Sequence, residues 1–158
     1  MHEDLTVLKK AGAGAQGTIY LVTRKTDRIK QNYVLKVFQL KNIQAFRREY
    51  AALKAIEDSL PSRGLFPRFY SSREDAESAE LLIEEMGLDV RQLQKIKPVQ
   101  HYGAATHFKM IIQLLDCIET FHRLGFVHCD IKFQNVLTSH NPKQDQVYLI
   151  DFGLSYKY

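Results

Sequence analysis

The pattern of this chain predicts an α+β fold in two lobes. Three observations carry that expectation. Five short runs rich in β-branched and aromatic residues come before residue 86 and read as one antiparallel sheet, broken once by a stretch with helical spacing. A long stretch from about Thr106 repeats its apolar residues at helical spacing. Short polar turns bearing carboxylates, a lysine and an amide follow that stretch. The first lobe is expected over about residues 1–86 and a mostly helical second part over 87–158.

The first lobe begins with a strand over Leu5 to Lys10, then Ala11-Gly12-Ala13-Gly14-Ala15-Gln16-Gly17, then a strand over Thr18 to Thr23. That order decides what the glycines mean. A dinucleotide fingerprint requires a helix after its third glycine, and here a strand follows. Gly12 and Gly17 have P-loop spacing, but Thr18 stands where that motif needs lysine. What remains is a glycine flap between two strands, which taken alone reads as an ordinary glycine-rich hairpin and alternatively as a cover whose N–H groups can approach phosphates without a Cβ in the way. Arg24 to Asn32 is a polar turn, and Tyr33 to Phe38 is a strand that puts Lys36 on one face with Val34 and Phe38. An ammonium between apolar neighbours is costly unless paired. Asn42 can cap a helix to about Ser59, with Ile43, Phe46, Tyr50, Leu53 and Leu60 inward. Glu49 lies at the edge of that stripe, within reach of Lys36.

Pro61 to Pro67 reads as a loop. Phe69 to Ser71 and Leu81 to Glu84 complete the sheet around an acidic turn from Arg73 to Glu80, and Glu85-Met86-Gly87 leads onward. Asp89 to Ile96 is a short helix ending before Pro98. The long helix carries one apolar stripe through Phe108, Ile111, Ile112, Leu115, Ile118 and His122, and another through Leu114, Cys117, Ile118 and Phe121. Gly125 ends it. Val136 to Thr138 and Val147 to Ile150 form a hairpin around Asn141-Pro142, with Asp151 at the end of its second strand.

Composition narrows the function classes. The 158 residues are 45% apolar and 25% charged, as in one soluble globular domain with a substantial core. The net charge is +4 and the basic residues are scattered, so no nucleic acid partner is expected, while a polyanion would be welcome. Cys117 and Cys129 form no C-x-x-C site and read as reduced thiols, which suits a cytoplasmic or nuclear protein. The six histidines show no metal-ligand spacing. Met1-His2-Glu3-Asp4 lacks a basic-then-apolar signal, and Met110-Ile111-Ile112 is broken at Gln113, so no membrane partner is expected.

The chemistry concentrates in His128-Cys129-Asp130-Ile131-Lys132-Phe133-Gln134-Asn135 and in Asp151-Phe152-Gly153. Phosphoryl transfer from a nucleotide needs such a set: a base for the hydroxyl proton, a cation beside the transferred group, and oxygen ligands for Mg²⁺. With Gly12-x-Gly14-x-x-Gly17-x-Ile19, Lys36 and Glu49, these motifs stand in the order of the eukaryotic protein kinases, which the chain resembles over nearly its whole length. The resemblance implies a Ser/Thr-directed phosphotransferase acting on proteins, with ATP and Mg²⁺ between an N-lobe and a helical C-lobe. It implies Asp130 as base, Lys132 at the γ-phosphate, Asn135 and Asp151 as metal ligands, and Lys36 with Glu49 positioning phosphates. Gly12, Gly14 and Gly17 would cover the nucleotide, Ile19 and Val34 would line the adenine site, and Glu84 and Met86 would lie at the hinge.

Finer features resemble the casein kinase I group: Gly17-Thr18-Ile19-Tyr20-Leu21, Glu84-Glu85-Met86-Gly87, and Tyr148-Leu149-Ile150-Asp151-Phe152-Gly153-Leu154-Ser155 followed by Lys157-Tyr158. Cys129 stands where the family usually has arginine, which argues against control by a phosphorylated activation loop. Phe133 stands where proline is usual. The sequence given stops at Tyr158, before any activation segment or A-P-E motif, so the second lobe is expected to be incomplete. The 158 residues alone are then expected to have little activity and to depend on a partner that covers the unfinished C-lobe. A reading from another class is a non-catalytic ATP-binding or scaffold module descended from a kinase.

Overall fold

The computed structural model of the chain describes residues 4–59, 64–96, 103–141 and 144–158. Five antiparallel strands form one sheet in the order β1-β2-β3-β5-β4: β1 Leu5–Ala13, β2 Thr18–Arg24, β3 Asn32–Gln39, β4 Phe69–Glu74 and β5 Ser78–Glu84. Period-two alternation on β3 gives the sheet two faces. Tyr33 and Leu35 pack with Leu5, Val22 and Leu82 on one side. Phe38 packs with Ala79 and Leu81 on the other, beneath helix α1, Ile43–Asp58.

The strands run further than the sequence suggests. β1 continues through Gly12, paired with Ile19, and Ala13, paired with Thr18, so the flap proper is only Gly14 to Gly17. The Gly14 N–H donates to the Gly17 carbonyl at 2.9 Å and closes the hairpin there. The acidic turn is also tighter than Arg73 to Glu80. Asp75 Oδ1 accepts from the N–H groups of Glu77 and Ser78, an Asx turn that reverses the chain at once and frees the flanking polar residues to pair.

Helix α1 holds its ends close to expectation, but Asn42 does not cap it through its side chain. A short 3₁₀ turn, Leu40–Asn42, leads in, and the Asn42 amide bonds elsewhere. Phe46, Glu49, Ala52, Leu53 and Ile56 form the buried face, so Glu49 lies within the inward stripe and not at its edge. Leu60 and the start of the expected loop, Pro61 to Arg63, lie outside the described residues, as do Pro98 and Pro142.

Helix α2, Val90–Ile96, starts at Asp89, whose Oδ1 accepts from the Gln92 N–H at 2.8 Å. Helix α3, Ala104–Arg123, begins two residues before Thr106 and ends at Gly125, whose φ of 82° suits glycine. Its two apolar stripes fare differently. Cys117 and Phe121 are buried, with Leu114 and Ile118 packed beside them, while Phe108, Ile111, Ile112 and Leu115 are 52–64% exposed. Strand β6, Phe126–Val127, pairs with β9, Tyr156–Lys157, and β7, Val136–Thr138, pairs with β8, Val147–Leu149. Asp151 lies beyond the end of β8, after Ile150. Phe152 packs against Phe66, Phe121 and His128 and ties the turn after β8 to α3. Among the described residues no helix is long and apolar enough to cross a membrane.

Candidate active site

Between the sheet and the second lobe lies a cleft of about 520 Å³, within the usual range for a small-molecule site. Its walls come from the flap, from β3, from the connector after β5, and from the turns around β7 and β8. One part of the lining is apolar, with Ile19, Val34, Ile83, Met86, Leu137 and Ile150. The rest carries Lys36, Glu49, Asp130, Lys132, Asn135 and Asp151.

Two charge clusters meet there. Lys36, in the middle of β3, places Nζ 2.7 Å from Glu49 Oε2 and 2.7 Å from Asp151 Oδ1. Burial works against the Lys36 ammonium, but the charges of Glu49 and Asp151 outweigh it and hold its pKa above the usual lysine value. Burial lifts the Glu49 carboxyl, and contact with Lys36 opposes that rise. The lysine that needed a partner therefore has two, one from α1 and one from 115 residues along the chain.

The second cluster is local. Lys132 Nζ lies 2.6 Å from Asp130 Oδ2, and Asn135 Nδ2 donates to the same oxygen at 3.0 Å and to the Asp130 carbonyl at 2.8 Å. Both side-chain donors converge on Oδ2, which leaves Oδ1 as the carboxylate atom with no donor among the described residues. The hydrogen bond from Lys132, followed by that from Asn135, holds the Asp130 pKa below the usual carboxylate range. Asn135 donates through Nδ2, so its Oδ1 is the atom left to accept.

Both turns are strained in the same sense. Cys129 has φ of 62° and Asp151 has φ of 67°, in the left-handed region that ordinary side chains seldom adopt. His128 braces both. Its Nδ1 accepts from the Asp130 N–H at 3.2 Å, so the proton sits on Nε2, which donates to the Ile150 carbonyl at 2.9 Å. The buried imidazole thus bonds the peptide groups next to each strained residue, and burial lowers its pKa.

Most of the residues singled out from sequence converge here. Gly14, Gly17, Ile19, Val34, Lys36, Glu49, Glu84, Met86, Asp130, Lys132, Asn135 and Asp151 all line the cleft. Gly12 lies on β1 opposite Ile19, outside that lining. Gly17 must be glycine, since a Cβ there would collide with the Val37 carbonyl oxygen. Residues not foreseen also contribute: Gln16, Leu137, Ile150 and Leu154 line the cleft, and His128 supports it. The alternation of β7 could have flagged Leu137, because Val136 is buried in the core behind it.

The donor set bears on what the site can hold. Mg²⁺ keeps much of its water and is bound by one or two carboxylates together with phosphate oxygens. Asp151 and the Asn135 oxygen fit that pattern, and among the described residues no group of three His, Cys, Asp or Glu side chains forms a denser metal cage. Next to them the Lys36 ammonium suits a polyphosphate, and the apolar part of the cleft suits a planar base.

The protein kinase domain matches residues 5–158 of this chain. The chain belongs to the protein kinase family. The kinase domain accounts for the arrangement just described: a five-stranded sheet with one helix, joined to a part bearing the two charged turns. Among known kinases it is 33% identical to human serine/threonine-protein kinase VRK2 over 166 residues, covering 95% of this chain and 32% of that protein. It is 29% identical over 167 residues to the sporulation protein kinase mde3 of Schizosaccharomyces pombe, covering 98% and 30%. To the serine/threonine-protein kinase greatwall of Gallus gallus it is 29% identical over 154 residues, covering 97% and 17%. The chain thus spans about a third or less of the length of these relatives.

Proposed function

We propose that this chain carries the nucleotide-binding and catalytic region of a serine/threonine protein kinase that moves the γ-phosphoryl group of ATP to protein hydroxyls. The observation that carries the reading is the Asp130 carboxylate. It is ionised, fixed through Oδ2 by Lys132 and Asn135, and left with Oδ1 free in the same cleft as Lys36 and Asp151. Oδ1 accepts the proton of a serine or threonine hydroxyl as the hydroxyl oxygen bonds to the γ-phosphorus and the bond from that phosphorus to the bridging oxygen breaks, releasing ADP. Lys132 lies beside that oxygen pair and offsets charge on the transferred group. Lys36, steadied by Glu49, would hold the phosphates, and Asn135 Oδ1 and Asp151 would hold Mg²⁺. When bound, the metal neutralises phosphate charge. Ile19 and Val34 form the adenine wall, while Glu84 and Met86 mark the hinge side.

Similarity to casein kinase I in the Gly17–Leu21, Glu84–Gly87 and Tyr148–Ser155 segments supports placing the kinase in that group. The positive net charge suits an acidic protein substrate. Two free thiols, one of them the exposed Cys129, suit a reducing compartment such as the cytoplasm or nucleus. The full-length protein, given γ-labelled ATP, Mg²⁺ and casein, should yield phosphoserine or phosphothreonine, and Asp130→Asn should remove the label. Label confined to tyrosine, or retained in Asp130→Asn, would contradict the reading.

A further inference from the structure

Asn42 occupies the N-cap position of α1, where asparagine ordinarily accepts a hydrogen bond from an N–H two or three residues on. No such bond forms. Its Nδ2 instead donates to the Ala15 carbonyl at 2.9 Å, across 27 residues of sequence, at the tip of the glycine flap. A second contact lies on the far side of the tip. The Gln16 amide is seated against the backbone of Gly153, where any Cβ would collide with it. Gln16 Oε1 is buried there with no hydrogen-bond partner among the described residues, so packing and not a directional bond holds that side. The flap base is fixed against β3 by Gly17, while a Cβ at Gly14 would meet nothing within 4 Å. The tip is therefore tied by one directional bond to the start of the helix that carries Glu49. It rests by packing on the segment that carries Asp151.

We propose that Asn42 is a positioning residue that latches the flap closed, with Gln16 on Gly153 as its stop, and that the latch sets how fast nucleotide leaves the cleft. The latch follows from the fold alone; its effect on nucleotide rests on the ATP reading above. It links flap position to the two elements that supply the partners of Lys36, so a shift of either one reaches the flap.

The test is Asn42→Asp in the full-length protein. Aspartate caps a helix as well as asparagine does but has no amide hydrogen for Ala15. Hydrogen exchange at the Gly14 amide, measured without nucleotide, should quicken about 2- to 10-fold, the factor that one net hydrogen bond commands. The melting temperature should hold or rise. Asn42→Ser, which also caps but has a shorter side chain, should do the same. Release of a fluorescent ATP analogue should speed up by a similar factor. Unchanged Gly14 exchange in both variants would overturn the latch. Faster exchange with unchanged release would overturn its control of the cleft. A wild-type protein that binds no nucleotide would instead count against the ATP reading and leave the exchange result standing.

Discussion

The two charge clusters in the cleft are built in opposite ways. Lys36, Glu49 and Asp151 come from β3, α1 and the turn after β8, and the Lys36 and Glu49 side chains are 9% and 2% exposed. Asp130, Lys132 and Asn135 lie within six residues of one another, and the Lys132 side chain is 47% exposed. A buried ion pair that loses one partner leaves an uncompensated charge, at a cost of about 3–5 kcal/mol. An exposed pair contributes about 0–1 kcal/mol. The first cluster therefore belongs to the fold as much as to the site: it exists only when sheet, helix and turn are assembled. The second is cheap to alter structurally, and on the proposed kinase reading its effect would fall on chemistry.

That contrast can be broken at several points. Asp130→Asn should lower phosphoryl transfer about 100- to 10,000-fold, the range for removal of a general base, with nucleotide affinity unchanged in a binding titration. Glu49→Ala should cost about 3 kcal/mol in denaturant unfolding, near the lower bound because Lys36 keeps Asp151. Lys132→Ala should stay within about 1 kcal/mol of wild type in the same experiment. A large loss in Lys132→Ala, or none in Glu49→Ala, would erase the distinction.

The smallest effect is a pH slope. The folded His128 pKa lies below its unfolded value, so below about pH 6.5 the unfolded chain takes up the proton first and stability falls with acid. Above that pH the contribution is flat. His128→Phe should flatten unfolding free energy between that point and the lowered folded pKa. Asp130 acts further down: its depressed pKa means that its contribution is present above about pH 4 and is lost only as pH falls through the folded value.

Much of the sheet was legible because period two in Thr18 to Thr23 and Tyr33 to Phe38 directly encodes two faces. The pairing of Lys36 with Glu49 was legible for the same reason, as a charge on an apolar face demands a partner. The third member was not, because Asp151 comes from the far end of the chain. Asn42 shows the limit well. Its residue type says helix cap, but the amide goes to Ala15, and nothing local reveals a partner 27 residues away. Spacing on α3 showed which apolar residues share a face, but not that Cys117 and Phe121 would be covered while Phe108 and Ile111 stay exposed. Coverage depends on what packs there, and periodicity carries no record of that. The bracing of Cys129 and Asp151 by His128 was likewise invisible, because positive φ at a non-glycine residue leaves no mark in composition.

Asp151 is where the two clusters join: it pairs with Lys36 and shares the cleft with Asn135. Titrating nucleotide into wild type and Asp151→Asn, each with and without Mg²⁺, tests that junction most directly. Magnesium should tighten binding to the wild type and lose most of that effect in the variant, because the amide that replaces the carboxylate brings no charge to the metal. Equal tightening by magnesium in both proteins would contradict a joined metal–nucleotide site.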